Sequence, residues 1–309
     1  MFLSILRMAL PVLFTFGLGM LCRRKNVFSP EGLKGLKAVV GNVTLPAVLF
    51  YAFFTAEYTG RIALTFLVVF LSCVAGLAAG FALRRFVKPY GKFLPFLLTN
   101  FEGGMLGYAL FALLYPGQTR IFAMVDIGQT FCAFTVFLAT LKAVGGETVR
   151  AKEIARNMLH NAVFVCIVLG AALGMLGAGR WVLASAAGPV ITDVVQFIAA
   201  PTSALILLIV GYELQFSKAL LAPVLKTAGL RLLVMGALLA AGAPLIFAFI
   251  PFDKPLFAAM LLAYSLPAPF IIPIYANAEG HETYISTALS VQTLISIALF
   301  IGIAAWTLS

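Results

Sequence analysis

Apolar runs of about 20 residues alternate with short polar connectors along the chain, as is typical of helices that cross a membrane. We predict ten such spans. Their approximate bounds are 3–22, 34–55, 61–83, 93–115, 118–141, 158–178, 190–214, 229–250, 256–277 and 283–307. The pattern therefore predicts an all-α membrane protein with ten transmembrane helices.

Two of these runs contain residues that a helix built only to span would avoid. Leu97 to Tyr115 reads LLTNFEGGMLGYALFALLY and has Glu102 and the pair Gly103-Gly104 near its centre. An acidic residue at mid-bilayer costs at least about 2.5 kcal/mol, and adjacent glycines weaken a helix. Met260 to Tyr275 reads MLLAYSLPAPFIIPIY and contains three prolines. Both patterns predict helices that are broken around a binding site.

The composition excludes several classes of protein. Of the 309 residues, 62% are apolar and 10% are charged, which is incompatible with a soluble surface and predicts a lipid bilayer as the surroundings. A net charge of +10 raises the alternative of a nucleic-acid partner, but the basic residues form short clusters between apolar runs. No zinc motif, GxSG-like nucleophile or aspartate-rich phosphate-binding pair is present, so we expect neither an enzyme nor a bound metal or cofactor.

The basic clusters also predict the orientation of the chain. Sixteen of the 21 Lys and Arg residues fall in alternate connectors or at their edges: Arg23, Arg24, Lys25, Lys34, Lys37, Arg84, Arg85, Lys88, Lys92, Lys142, Arg150, Lys152, Arg156, Lys218, Lys226 and Arg231. Positive residues flank spans on the cytoplasmic side. We therefore predict a multi-pass protein of the cell membrane with both termini, including Ser309, outside.

Weak internal similarity predicts two inverted repeats. LGML at 18–21 recurs 155 residues later, and so does the proline at 46; the pair at 129–130 and the triplet at 102–104 align with positions 163 residues later. We divide the chain into a first five-helix repeat at 1–141, a cytoplasmic connector at 142–157 and a second repeat at 158–309. Because five is odd, the second repeat is inverted relative to the first.

Three motifs carry a family resemblance: NVTLPAVLF at 42–50, the segment from APTSA at 200–204 to GYEL at 211–214, and LPAP at 266–269. Together they resemble the auxin efflux carrier family over nearly the whole chain, and the short connector is similar to that of bacterial members. The resemblance implies secondary transport of a small organic anion, such as malate, malonate or an auxin-like acid. It also implies a fold similar to bile acid symporters and sodium/proton antiporters.

In that fold, helices 1, 2, 6 and 7 form a scaffold domain, and helices 3–5 and 8–10 form a transport domain in which broken helices 4 and 9 cross. The chain departs from the family at Leu106-Gly107-Tyr108, at Phe270-Ile271 and at Glu102. Substrate, direction of transport and oligomeric state do not follow from the sequence, and a homodimer is left open.

Crossed broken helices predict an anion site on physical grounds, because the freed N–H groups at the start of each second half carry partial positive charge. We expect no Lys or Arg at that depth. The candidate substrate-binding residues are Asn100, Glu102, Gly103, Gly104, Ser265, Pro267 and Pro269 at the breaks, and Asn42 and Thr44 in span 2. The alternative is that these residues only kink packed helices and satisfy the freed backbone groups.

Glu102 has two interpretations: it couples transport to H⁺ or Na⁺, or it is a structural bridge across the broken backbone. Asp126, Gln129 and Thr130 lie on one helix face, at i, i+3 and i+4, and Gln292 is the repeat counterpart of Gln129. We include these four as tentative coupling residues, with a vestibule or structural role as the alternative for Asp126. A sodium- or proton-coupled symporter or antiporter with another substrate is the second functional hypothesis, and a channel of the same topology is a further one.

Overall fold

The computed structural model describes residues 2–56, 60–146, 151–276 and 278–308, and every regular element within these ranges is helical. Arg150 in the connector and Ser309 at the C-terminus lie outside them. The helices of the first half are α1 (Phe2–Arg24), α2 (Pro30–Val39), α3 (Leu45–Phe54), α4 (Gly60–Leu83), α5 (Leu94–Leu98), α6 (Tyr108–Leu114), α7 (Thr119–Cys132) and α8 (Leu138–Val144).

The second half begins with a helix most of which lies in the predicted connector at 142–157. Its helices are α9 (Ala151–Leu159), α10 (Ala162–Met175), α11 (Ala178–Ala184), α12 (Gly188–Ala199), α13 (Thr202–Glu213), α14 (Leu221–Phe249), α15 (Lys254–Ser265), α16 (Ile272–Tyr275) and α17 (Glu282–Thr307). Single π-helical turns join α2 to α3 at Val40–Thr44 and α7 to α8 at Ala133–Phe137, so that each pair forms one long helix.

Eight helical segments of the described residues are long and apolar enough to cross a membrane. Four of them combine two labelled helices, namely α2 with α3, α5 with α6, α7 with α8, and α12 with α13. The pair α10 and α11, bent by 77°, forms a ninth candidate. The segment predicted as span 9 is divided into α15, an extended stretch and the four-residue α16, so it does not qualify by helix length. Large apolar side chains such as Phe14, Leu233 and Phe249 point outward and are 64%, 71% and 73% exposed. Such a surface is that of a membrane protein.

Helix packing divides the molecule into two groups. In the first, α1 packs on α13, and α3 packs on α10 and α12. A Cβ added to Gly19 or Gly211 would overlap the backbone of the facing helix, so these glycines allow the close approach of α1 and α13. In the second group, α4 packs on α5, α7 and α14, while α15 contacts α7, α14 and α17. The groups meet where α1 contacts α17 and where α13 contacts α6.

Candidate functional site: two crossed helix breaks

The first break separates α5 from α6. The backbone leaves helical geometry at Thr99, where ψ is 172°, and Asn100 has a φ of +50°. Asparagine tolerates this left-handed conformation better than most residues. The chain re-enters helix at Glu102, which caps a π-helical turn at Gly103–Gly107 that runs directly into α6. The break predicted from the polar residues and glycines of this run is confirmed.

The second break separates α15 from α16. Leu266 is extended, with a ψ of 158°, and Pro267 and Pro269 follow before α16 begins at Ile272. The two breaks touch each other, because the backbone N–H of Glu102 donates to the carbonyl oxygen of Pro267 at 2.9 Å. The structure therefore brings the two interrupted segments together, as the sequence predicted.

The Glu102 carboxylate joins the two second halves. Its Oε1 accepts the backbone N–H of Met105 at 3.1 Å, and its Oε2 accepts the backbone N–H of Phe270 at 2.6 Å. The side chain is largely buried, with 8% of its residue surface exposed. The freed N–H groups predicted to form an anion site are thus bound by a carboxylate of the chain itself.

Arg231 joins the two first halves, and our expectation of no Lys or Arg at the breaks was wrong. Its buried guanidinium donates five hydrogen bonds, of 2.6 to 3.2 Å, to four backbone carbonyls. These carbonyls belong to Leu97, Thr99, Asn100 and Leu266, the residues at the ends of α5 and α15. The positive side chain therefore faces the negative ends of both helices.

The sequence contained a signal that could have located Arg231. We placed it at the cytoplasmic edge of a span starting near 229, but α14 begins at Leu221. Residues 219–225, before the predicted start of the span, read ALLAPVL. This stretch is apolar enough to extend the span toward the N-terminus, which brings Arg231 inside it. A hydropathy window ends a span near a basic residue, and for this reason Arg231 was assigned to the edge of the span instead of its interior.

Asn100 connects the first break to α7. Its Nδ2 donates to the backbone oxygen of Gln129 at 3.2 Å and to the side-chain Oε1 of Gln129 at 3.1 Å. Gln129 in turn donates to Asp126 at 3.1 Å, and the Thr130 hydroxyl donates to Asp126 at 3.3 Å. The predicted shared face of these three residues is confirmed.

Asp126 does not lie in a vestibule. It is 1% exposed, and a Cβ added to Gly103 would overlap its Oδ1, so the carboxylate lies against the first break. A glycine at 103 is what leaves room for it. Two carboxylates, those of Glu102 and Asp126, therefore flank Gly103 from different elements.

Gln292 on α17 connects both breaks. Its Oε1 accepts the N–H of Ala268 at 2.9 Å, and its Nε2 donates to the carbonyl oxygen of Leu97 at 3.1 Å. Ser265, at the end of α15, donates its hydroxyl to Leu262 within its own helix. Gln129 and Gln292, matched by the internal similarity, thus differ in their contacts: Gln292 bonds to backbone groups of both breaks, whereas the Gln129 side chain bonds to the side chains of Asn100 and Asp126.

Among the described residues, neither candidate in span 2 has a side-chain hydrogen bond to the crossing. Asn42 is exposed and donates to the carbonyl oxygen of Ala38 at 3.0 Å within its own helix. Thr44 is 5% exposed, at the end of the π-helical turn before Pro46. The hydrogen bond of Asn42 favours the alternative in which it satisfies a kinked backbone.

A cavity of about 490 Å³, here called the central cavity, lies between the two packing groups. Its lining includes Lys37, Met105, Glu213, Gln215, Phe270, Ser286, Ser290 and Thr293. Met105 and Phe270 are the residues whose N–H groups bind Glu102, so the cavity reaches the crossing. Lys37 and Glu213 form an ion pair on its wall, with side chains 41% and 40% exposed.

None of the predicted site residues lines this cavity directly. Asn100, Glu102, Gly103 and Pro267 belong to the two breaks behind it. A Cβ added to Gly104 would meet Glu102 and Leu45 at ordinary contact distance. Sequence reasoning assigned Lys37 to topology, used Thr293 only as the repeat counterpart of Thr130, and gave Gln215 and Ser290 no role. Their common surface forms only when α2, α13 and α17 pack together.

Comparison with known proteins agrees with this architecture. The fold and the crossing define a multi-pass helical membrane protein. No protein-family model matches the chain. A protein named as an uncharacterized transporter of Methanothermobacter thermautotrophicus is 25% identical over 300 residues, with 93% of each chain covered. This similarity supports a membrane transporter, while the resemblance to auxin efflux carriers stays a prediction.

Proposed function

We propose that the protein is a secondary transporter that moves a small organic anion by alternating access, with a proton as the coupling ion. The observation that carries this proposal is the Glu102 carboxylate, which accepts N–H groups from the second halves of both broken helices beside the central cavity. These donors form a carboxylate site by geometry and charge. A substrate carboxylate arriving from the cavity has chemistry that suits the same donors.

Protonation of Glu102 would make that exchange possible. A carboxylate accepts at both oxygens, whereas a neutral carboxyl group has an O–H at one of them. One of the two N–H groups, that of Met105 or that of Phe270, would then lose its acceptor and become free for an anion. The Asp126 carboxylate, which lies against Gly103, would repel an anion if Glu102 were also negatively charged. Arg231 would not neutralise this charge, because its guanidinium donates to backbone carbonyl groups. One proton would accompany one anion.

The two packing groups suit a scaffold and a moving part. In this proposal α1–α3 and α10–α13 form the scaffold domain, and α4–α8 with α14–α17 form the transport domain, with α15 and α16 as the ninth of ten spans. The central cavity lies between them, where Lys37 and Glu213 of the scaffold face Met105 and Phe270. The contact between two breaks that the internal similarity aligns, where the Glu102 N–H meets the Pro267 carbonyl oxygen, supports two inverted repeats of the auxin efflux carrier type.

Sodium coupling is the second candidate. It is favoured by the buried oxygen atoms of Asp126, Gln129 and Thr130 beside the first break, because Na⁺, like other hard cations, prefers oxygen ligands. In that case the flux would depend on sodium, and the first break would hold the ion while the central cavity holds the substrate.

The decisive experiment compares wild type with Glu102→Gln in proteoliposomes, after a thermal-shift screen of mono- and dicarboxylates has identified a ligand. The glutamine side chain has one acceptor oxygen, so it imitates the protonated state. We expect it to bind the anion at every pH tested and to remove the pH dependence of flux. Glu213→Gln, an exposed carboxylate of the same cavity, is the control and should keep that dependence.

An unchanged pH profile in Glu102→Gln would contradict proton coupling at this residue. Loss of sodium dependence without any change in the pH profile would favour the second candidate. Flux that does not saturate with substrate would instead indicate a channel.

We also propose the cell membrane as the location, with both termini outside. In a variant whose native cysteines are replaced, Leu308→Cys should react with an impermeant thiol reagent in intact cells, and Lys152→Cys should not. Both positions are exposed in the structure. The opposite labelling pattern would reject this orientation.

A further inference from the structure

A second cavity, of about 550 Å³, lies where α1 ends, α13 ends and α17 begins. Its lining includes Arg23, Arg24, Gln215, Phe216, Thr283 and Thr287, and we call it the arginine cavity. It shares only Leu214 and Gln215 with the central cavity. The transport proposal assigns it no role.

The two arginines supply uncommitted positive charge. Arg23 donates from Nη1 to the carbonyl oxygen of Leu214, which fixes the side chain at the cavity, and a longer contact of 3.5 Å reaches the oxygen of Tyr212. Within the described part of the chain, neither Arg23 nor Arg24 forms an ion pair with a carboxylate. Most of their N–H donors are therefore free for a ligand.

Helix α17 supplies two hydroxyl groups on one face, because Thr283 and Thr287 are four residues apart. Thr287 is 1% exposed, and its Oγ1 has no hydrogen-bond partner among the described residues. A buried hydroxyl without a partner is unfavourable relative to one that is hydrogen bonded. A ligand oxygen in the cavity would provide the missing partner.

We propose that the arginine cavity binds a phosphate group, either on the headgroup of an anionic phospholipid or on a soluble phosphate ester. Guanidinium groups match the oxygens of phosphate in geometry and charge, and the threonine hydroxyls add neutral donors. Since Arg23 and Arg24 belong to α1 and the threonines belong to α17, a bound phosphate fastens the two packing groups together. Such a phosphate site is independent of the identity of the transported anion.

The test uses the full-length protein in nanodiscs of phosphatidylcholine. One arm titrates glycerol 3-phosphate and measures binding by calorimetry. The other arm replaces a fifth of the lipid with phosphatidylglycerol and measures the thermal unfolding midpoint together with retained lipid by native mass spectrometry. Arg24→Gln should weaken binding roughly tenfold, as expected for the loss of a charge-assisted hydrogen bond. Thr287→Val, which keeps the side-chain shape, should weaken binding several-fold.

Lys25→Gln is the matched control, because it removes the same charge from the next residue, which does not line the cavity. Arg24-dependent binding of glycerol 3-phosphate supports a soluble phosphate ligand, and an Arg24-dependent response to phosphatidylglycerol alone supports a lipid headgroup. If Lys25→Gln weakens binding as much as Arg24→Gln, or if Thr287→Val with a normal unfolding midpoint binds like wild type, the proposal is overturned. Equal binding of malonate would also overturn it in favour of a general anion surface.

Discussion

The two helix breaks differ in what their own sequences supply. The first contains Asn100 and Glu102, whose side chains bond to α7 and to the second break. The second, at 266–271, reads LPAPFI and offers only backbone groups to hydrogen bonding. Side chains from elsewhere, those of Glu102, Gln292 and Arg231, bind three of these groups. The carbonyl oxygen of Pro267 accepts the backbone N–H of Glu102 instead.

The difference between the breaks shows that the charged side chains at the crossing come from the first break and from α14. Glu102 binds the positive ends of both second halves, and Arg231 binds the negative ends of both first halves. One acidic and one basic side chain thus compensate four helix ends, which in a membrane have no water as a substitute. Substitutions in these partners should therefore have larger effects than substitutions in the second break itself.

The largest effect is expected from Arg231→Met. This change keeps an apolar stem but leaves the carbonyl groups at the ends of α5 and α15 without their donor. We expect a loss of about 3–5 kcal/mol in stability, because several buried acceptors lose their donor and each costs about 1–3 kcal/mol. Thermal unfolding of the purified protein in detergent measures it. Lys226→Met on the exposed side of α14 is the control, and equal unfolding midpoints would refute the role of Arg231.

A smaller effect is expected from Gly103→Ala, because its Cβ would overlap the Asp126 carboxylate. Overpacking of this kind costs about 1–3 kcal/mol and should displace Asp126 and reduce flux. Gly104→Ala is the matched control, since the nearest atom to its Cβ is 3.8 Å away. Thermal unfolding and proteoliposome flux compare the two variants. If the alanines behave alike, close packing of Asp126 on the first break is not required.

The backbone of Asn100 can be tested separately from its hydrogen bonds. Both Asn100→Gly and Asn100→Ala lose the bonds to Gln129, but only alanine is strained at a φ of +50°. Alanine should therefore be less stable than glycine by about 1–2 kcal/mol, although alanine is the better residue in an ordinary helix. The difference in unfolding midpoint between the two variants measures this strain, and its absence would mean that the break relaxes.

Local sequence predicted the positions of the breaks and most helix bounds. The last helix was expected at 283–307 and spans Glu282–Thr307, because apolar length and polar ends are local properties. The partners of Glu102 and Arg231 were not predictable in this way. Phe270 is 168 residues from Glu102, and Leu97 is 134 residues from Arg231, so these contacts exist only after the helices cross.

Charged residues also have two roles that hydropathy does not separate. Lys37 was counted as a topology signal, but it lies in the last turn of α2, and its ion pair with Glu213 is on the wall of the central cavity. Arg231 was counted in the same way and is buried at the crossing. The fold, not the composition of the run, decides whether a basic residue marks a boundary or fills a site.

The smallest effect is expected from Ser265→Ala, although Ser265 was a predicted substrate-binding residue. Its hydroxyl donates to Leu262 in the last turn of α15, so the change removes a hydrogen bond that competes with the helix itself. The carbonyl group of Ser265 still accepts the Ser296 hydroxyl at 2.6 Å. We expect a change of less than about 0.5 kcal/mol in stability and unaltered flux.

Ser296→Ala, which removes the donor to the Ser265 carbonyl group, should cost about 1 kcal/mol. Thermal unfolding and flux of both variants test whether the second break contributes backbone alone, and a strong loss of substrate affinity in Ser265→Ala would show that it contributes a side chain as well.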